Sequence, residues 1–302
     1  MKEFRLVRIS GKTPYERGVQ YGKAAREEIN NCIDTYHKHF DSARGMTWEK
    51  VQNLAAAYIP ESERQVPDML EEARGIAEGG GVDFIDIMAL NCRYEILHYP
   101  LQPECTAYAL QREATADGHV YIGQNWDNRP YLLPHTLLLH ITEEETGNII
   151  FGLTEAGQLI RNGFNNKGVG QCANSLRATL DKQGSGVPST FVRRQLLRLD
   201  NMDDMVKLIR TASRSVSVNY CLASCENKVG DVEAVPGQPV LFSPVDGIIT
   251  HANHLLVNRD LDTSSVRRFR GERLYELFSA EKGNITREYI RKCLCDHEGH
   301  PQ

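Results

Sequence analysis

The hydrophobic pattern of this chain first changes its period near Pro100, and any fold must accommodate both sides of that change. Before that point the spacing is helical. Thr13-Pro14-Tyr15-Glu16 has the capping-box form with proline at the first helical position, which predicts a helix running towards Phe40. Gly18, Gly22 and Ala25 give it a narrow face suited to close helix packing, and Ile29, Ile33 and Tyr36 an apolar one. Further helices are predicted over 48–58 and 66–77, separated by Pro60. Gly79-Gly80-Gly81 ends that segment, and Asp83 can cap a short helix through Ala89.

After Pro100 the pattern becomes strand-like. Segments 106–111 and 119–126 flank Thr115-Ala116-Asp117-Gly118, a hairpin signal. Segments 136–142 and 148–153 flank the tip Glu143-Glu144-Glu145-Thr146-Gly147, and 158–164 and 169–173 flank Asn165-Asn166-Lys167-Gly168. Helices follow over 189–199 and 203–211, then strands over 216–224, 231–235, 240–243 and 247–252, then helices near 272–278 and 286–295. Hairpins, helices and hairpins again predict an α+β fold of two antiparallel sheets packed face to face with helices outside. A helical N-terminal segment, 1–104, is expected to wrap onto a core, 105–302, as one domain. The glutamate run 143–145 reads as a solvated tip, and Arg193, Arg194 and Arg198 read as a solvent-facing strip within reach of phosphates of a coenzyme A donor.

Apolar residues make up 41% and charged residues 25% of the 302, which describes a globular chain rather than a disordered one. The formal net charge of -5 leaves no basic footprint for nucleic acid or an anionic membrane. Met1-Lys2-Glu3-Phe4-Arg5 has no apolar signal core and no apolar run reaches spanning length, so a cytoplasmic protein without membrane contact is expected. The eight cysteines then read as mostly reduced thiols. No metal site is expected. Cys221 and Cys225 would lie roughly 13 Å apart along a strand. Cys293 and Cys295 are two apart on a helix, and His251 and His254 are three apart on a strand, facing opposite ways.

Cys105 stands where helix gives way to strand. If the Glu104–Cys105 bond were cut, the residue would carry a thiol nucleophile and, in its own α-amine, a base. Gly123-Gln124-Asn125-Trp126-Asp127 lies on the partner strand, where alternation groups Gly123, Asn125 and Asp127 on one face, beside the thiol. Thr250-His251-Ala252-Asn253-His254 ends an apolar strand, and Asn253 can offer a side-chain N–H to an oxyanion.

Cys105-Thr106-Ala107-Tyr108, Gly123 to Asp127 and Thr250 to His254 resemble three signatures of the penicillin acyltransferase family, N-terminal-nucleophile hydrolases also classed as C45 peptidases for their self-cleavage. The likeness extends to Thr13-Pro14-Tyr15-Glu16-Arg17-Gly18, to Leu90-Asn91-Cys92-Arg93-Tyr94-Glu95 and to the segment 163–169, in order along nearly the whole chain. It implies a four-layer αββα sandwich made as a precursor. Cys105 would attack the Glu104 carbonyl and release fragments 1–104 and 105–302, which stay associated. Cys105 would then take an acyl group from a small amide or thioester, acyl-coenzyme A included as a substrate, with no cofactor. Asp127 would orient the free amine, Asn253 would stabilise the oxyanion, and Asn125 and Asn174 are candidate site liners. The acyl group would pass to water or to an amine.

Two features depart from the family pattern. Its best-known members carry glycine where this chain has Glu104, and members usually continue past a helix like 286–295 into further strands. On that likeness those strands, with any arginine they contribute, are either absent or outside this sequence. Plainer readings stand beside each residue. Cys105 also reads as a buried thiol, Asp127 as part of the turn signal Asp127-Asn128-Arg129-Pro130, and Asn253, Asn125 and Asn174 as partners of backbone groups. Two other functions remain open: an unprocessed, non-catalytic relative of the same fold, and a conventional hydrolase pairing Cys105 with His251 or His254.

Overall fold

The computed structural model describes residues 3–97, 105–265 and 269–298. Glu104 lies outside them. The chain opens on a strand, β1 (Arg5–Gly11), followed by α1 (Pro14–Ala24), α2 (Arg26–Arg44), α3 (Trp48–Ala56), α4 (Ile59–Gln65), α5 (Pro67–Gly80), α6 (Phe84–Asn91) and α7 (Arg93–Leu97). After Cys105 come β2 (Cys105–Leu110), β3 (Tyr121–Trp126), β4 (Thr136–Glu143), β5 (Asn148–Glu155), β6 (Asn162–Asn165) and β7 (Val169–Ser175). Two helices, α8 (Ser189–Leu196) and α9 (Met202–Thr211), precede β8 (Val218–Ser224), β9 (Lys228–Val235), β10 (Gln238–Phe242) and β11 (Ile248–His251). The last described elements are α10 (Phe269–Ala280) and α11 (Arg287–Leu294).

The capping box forms as the sequence dictates, with Thr13 accepting from the Glu16 N–H and Glu16 accepting from Thr13. The long predicted helix breaks at Ala25, and Pro60 opens α4 instead of interrupting a loop. The narrow face works as expected. A Cβ on Gly18 would fall 2.2 Å from the Glu72 carbonyl oxygen, and one on Gly22 would fall 2.4 Å from that of Ile76. These helices touch backbone to backbone, and only glycine leaves the room.

The strands form two sheets, eight in the order β1-β4-β5-β6-β7-β8-β9-β10 and three in the order β11-β2-β3. Ala107, Ala109 and Ile249 of the small sheet meet Cys172, Cys221, Ala223 and Val229 of the large one. The small sheet's other face carries Tyr108, Leu110 and Ile248 against Leu274, Phe278 and Ile290 of α10 and α11. The large sheet's other face packs on α8, α9 and the N-terminal helices. This is the expected αββα layering.

Three expectations need correction. The antiparallel rule fails once, because β1 runs parallel to β4 with Arg5 opposite Leu137 and Gly11 opposite Glu143. Segment 1–104 is therefore not purely helical; its first strand is an edge of the large sheet. The glutamate run is not simply a solvated tip. Glu143 is 1% exposed and sits among Arg17, Arg194 and Arg198 at 3.5, 2.7 and 3.2 Å. Burial alone would raise its pKa, but these arginines outweigh it and hold the carboxyl below its usual range. For the same reason the arginine strip does not face solvent. Arg193 and Arg194 are buried, and Arg194 bridges Glu143 and Glu72.

Candidate active site

Cys105 begins β2 directly opposite Trp126. Residues opposed across an antiparallel pair share a face, so the thiol points the same way as Ala107 and Ala109, into the space between the sheets. Asn125 pairs with Thr106 and turns outward, where its Nδ2 donates to the Leu294 carbonyl at 2.8 Å. Asn125 is thus on the face opposite the thiol rather than beside it, although it borders the same cavity as Asp127, Ser175 and Arg270.

Asn253 follows the end of β11 and meets the nucleophile directly. The Cys105 N–H donates to Asn253 Oδ1 at 2.6 Å. Asn253 Nδ2 donates to the carbonyl and hydroxyl oxygens of Ser175, both at 3.0 Å. The amide is therefore turned with its acceptor towards the Cys105 nitrogen and its donor towards Ser175. Arg270, in the first turn of α10, gives one N–H to Asn253 Oδ1 at 3.1 Å and another to the Cys105 carbonyl at 3.2 Å. It also lies 3.9 Å from Asp127, whose side chain is 60% exposed just past β3.

The thiol is held protonated. Burial is the larger cause and the negative charge of Asp127 the next, together pushing the Cys105 pKa up to about 11 against the opposing pull of Arg161 and Arg270. Arg161 stacks over Trp126, 4.5 Å from the ring centroid, and pairs with Glu155 at 2.8 Å. Glu155 also accepts from Arg93 at 2.6 Å, Gln158 at 3.0 Å, Asn128 at 3.3 Å and the Tyr36 hydroxyl.

Asn174 is buried between the sheets. It donates to Asn219 Oδ1 at 3.1 Å and the His251 carbonyl at 3.0 Å, and accepts from Gln124 at 2.6 Å. His251 commits Nδ1 to the Ala252 carbonyl at 2.7 Å and Nε2 to Glu233 at 3.1 Å. The rings of His251 and His254 stack with centroids 6.2 Å apart, contrary to the opposite faces expected, because β11 ends at His251 and the chain bends. Among the described residues no cluster of His, Cys, Asp or Glu is placed to hold a metal, and no helix is long and apolar enough to cross a membrane.

Two cavities flank the segment 127–130. One of about 800 Å³ is bordered by Asp127, Ser175, Arg177 and Arg270; the other, about 600 Å³, by Trp126, Leu133, Phe151 and Phe164. Sequence reasoning missed Arg270, Ser175 and Arg161. Arg161 had a signal, a lone charge after Leu159-Ile160 that must find a partner if buried. Arg270 and Ser175 had none.

Two stacked sheets thus lie between helical layers, and a cysteine opens a strand of the smaller one. Residues 114–301 match the model of the acyl-coenzyme A:6-aminopenicillanic acid acyl-transferase family, and the chain belongs to that family. The matched stretch contains Asp127, Asn253 and Arg270 and begins after Cys105. A relative from Emericella nidulans, the 40 kDa form of acyl-coenzyme A:6-aminopenicillanic-acid-acyltransferase, is 27% identical over 96% of this chain and 81% of its own. A thermostable penicillin G acylase from Alcaligenes faecalis superposes with a TM-score of 0.46 at 10% identity, over 62% of this chain and 51% of its own. A mutant conjugated bile acid hydrolase from Clostridium perfringens gives 0.42 at 13% identity, over 63% and 78%. The family is one of acyltransferases.

Proposed function

We propose that this chain is a self-processing N-terminal-cysteine enzyme that takes an acyl group onto Cys105 and passes it to an amine or to water. The observation that carries the reading is the 2.6 Å contact between the Cys105 nitrogen and Asn253 Oδ1. A buried N–H at a strand end needs a partner in any fold, but an amine acting as a base also needs its lone pair aimed, and Asn253 Oδ1 is placed to do both.

In the first stage the Cys105 sulfur attacks the Glu104 carbonyl carbon, the peptide C–N bond breaks, and the sulfur's proton goes to the departing nitrogen. Water then hydrolyses the thioester, leaving a carboxylate at Glu104 and a free thiol and amine on Cys105. In the second stage the amine takes the thiol proton as sulfur attacks the donor carbonyl. The leaving amine or thiol departs with that proton, and water or an amine displaces the acyl group. A thiol with a pKa near 11 is not a preformed thiolate, so a local base is needed at neutral pH, and the amine is nearest. His251 is already bonded at both ring nitrogens, which argues against the cysteine–histidine alternative for that residue. Asn253 Oδ1 and Asp127 orient the amine, and Arg270 holds the Cys105 carbonyl. With Asn253 Nδ2 taken by Ser175, the oxyanion role first given to Asn253 needs that amide to exchange partners.

The donor class is an acyl amide or an acyl thioester, coenzyme A thioesters included. Fragments 1–104 and 105–302 would remain together. Support comes from β1 on β4, Arg93 and Tyr36 on Glu155, and Glu72 on Arg194, all of which cross the cut. The test is intact mass of the purified protein before and after p-nitrophenyl acetate. Two masses that split after Glu104, with one acetyl group on the larger, are expected, and Cys105→Ala should give neither. A folded chain that stays whole and unlabelled would defeat the proposal.

A further inference from the structure

One buried carboxylate has no part in the chemistry above. Glu233 lies on β9 and turns, with Asp231 and Val229, towards the space between the sheets. Its carboxylate accepts from His251 Nε2 at 3.1 Å and from the backbone N–H groups of Leu256, Val257 at 3.1 Å and Asn258 at 3.5 Å. His251 ends β11 two residues before Asn253, and 256–258 follow it. A single carboxylate therefore grips the chain on both sides of the residue that meets the Cys105 nitrogen.

The near side of this bracket is itself braced. His251 Nδ1 is bonded to the Ala252 carbonyl, its own carbonyl accepts from Asn174, and its ring lies against those of His254 and Phe242. Asn174 leads through Asn219 to Asp231, so polar groups of four strands converge on the segment. The far side, 256–258, lies outside any strand and leads into a short 3-10 helix, Arg259–Leu261; its N–H groups turn inward to Glu233. Burial would raise the Glu233 pKa, but His251 and these N–H groups outweigh it and keep the carboxyl below its usual range. An ionised acceptor inside the sandwich, spent on backbone outside any strand, is costly for stability alone.

We propose that Glu233, with His251, is a positioning residue that fixes the 252–258 segment so that Asn253 Oδ1 stays on the Cys105 nitrogen. The inference rests on the reading of Cys105 as the nucleophile. Its consequence is kinetic: the bracket sets how often the amine is aimed, and misplacement by about 1 Å is enough to cost on the order of 100-fold in rate.

The experiment compares the wild type, Glu233→Gln and Glu233→Asp as full chains, following the burst of p-nitrophenolate from p-nitrophenyl acetate and the acetyl adduct on Cys105. Glu233→Gln replaces one acceptor oxygen by a donor that opposes the loop N–H groups. Its acylation rate at saturating donor should fall roughly 10- to 100-fold, with half-saturation unchanged within about threefold. Glu233→Asp keeps the charge and should recover part of the loss. If Glu233→Gln does not fold by circular dichroism, Val257→Pro replaces it. That variant deletes one N–H of the same bracket at an exposed side chain, and the same split is expected. Folded Glu233→Gln acylating within twofold of wild type overturns the inference, as does a loss that merely tracks the folded fraction. A wild type that forms no adduct at all overturns the reading of Cys105 beneath it, a distinguishable result.

Discussion

Replacing Asn253 by alanine separates orientation of the nucleophile from stability of the fold. The side chain makes four hydrogen bonds: Oδ1 accepts from Cys105 and Arg270, and Nδ2 donates to the two oxygens of Ser175. The Ser175 pair is structural, and losing it leaves a backbone carbonyl and a hydroxyl without those donors, at about 1–3 kcal/mol. On the proposed mechanism, the Cys105 contact is the one the reaction uses. A hydrogen bond to a group that becomes charged as it takes the thiol proton is worth about 1.5–3 kcal/mol. At 1.36 kcal/mol per tenfold, that predicts acylation of Cys105 slowed by roughly 10- to 150-fold. The assay is the time course of the acetyl adduct by mass spectrometry, with urea unfolding run alongside to measure the structural loss. Asn253→Ala that unfolds more easily yet acylates at the wild-type rate would refute the claim that this amide aims the nitrogen.

In the uncut chain, where Cys105 has no free amine beside it, iodoacetamide should label Cys105 about tenfold faster per pH unit from pH 7 up to about 11, without a plateau near neutrality, because the reactive thiolate forms only as pH approaches the raised pKa. Asp231, raised to about 7 chiefly by burial, keeps its proton in the folded state where the unfolded chain has lost it. Its contribution to stability is therefore present below about pH 4 and is lost as pH rises to 7; Asp231→Asn should gain in urea midpoint relative to wild type across that window. Glu143→Ala should cost about 3–5 kcal/mol, because it strips a buried anion from among arginines. A cost under about 0.5 kcal/mol would return Glu143 to the solvated tip that its sequence neighbours suggest.

What the sequence revealed and what it hid divide along the range of the interactions. The capping box at Thr13, the glycine face at 18 and 22 and the three hairpins are local or periodic, and they were legible. The strand β1 was not, since seven residues gain their partner from β4 more than a hundred positions on. Glu143 is the same case: nothing beside it announces Arg17 or Arg194. At the candidate site, the order of motifs singled out Cys105, Asp127 and Asn253 as candidates, but register decided which face each occupies. Opposing Cys105 to Trp126 instead of Asn125 moved Asn125 to the far side of the sheet. The way Asn253 faces depends on Ser175 and Arg270, which arrive from other strands and a helix, and the role of Glu233 depends on a loop that reaches it through backbone alone.

The parallel pairing of β1 with β4 also orders events during synthesis. The first strand is made long before its partner; at about 5–20 residues per second the ribosome needs on the order of ten seconds to deliver β4. Until then β1 has no edge to join. Scission ahead of Cys105 in that interval would turn a closure within one chain into an encounter between two, with the tether's effective concentration lost. If the chain cuts itself as proposed, its two pieces stay together only when this sheet is finished first, so the late docking of the earliest strand would set the earliest safe moment for the cut.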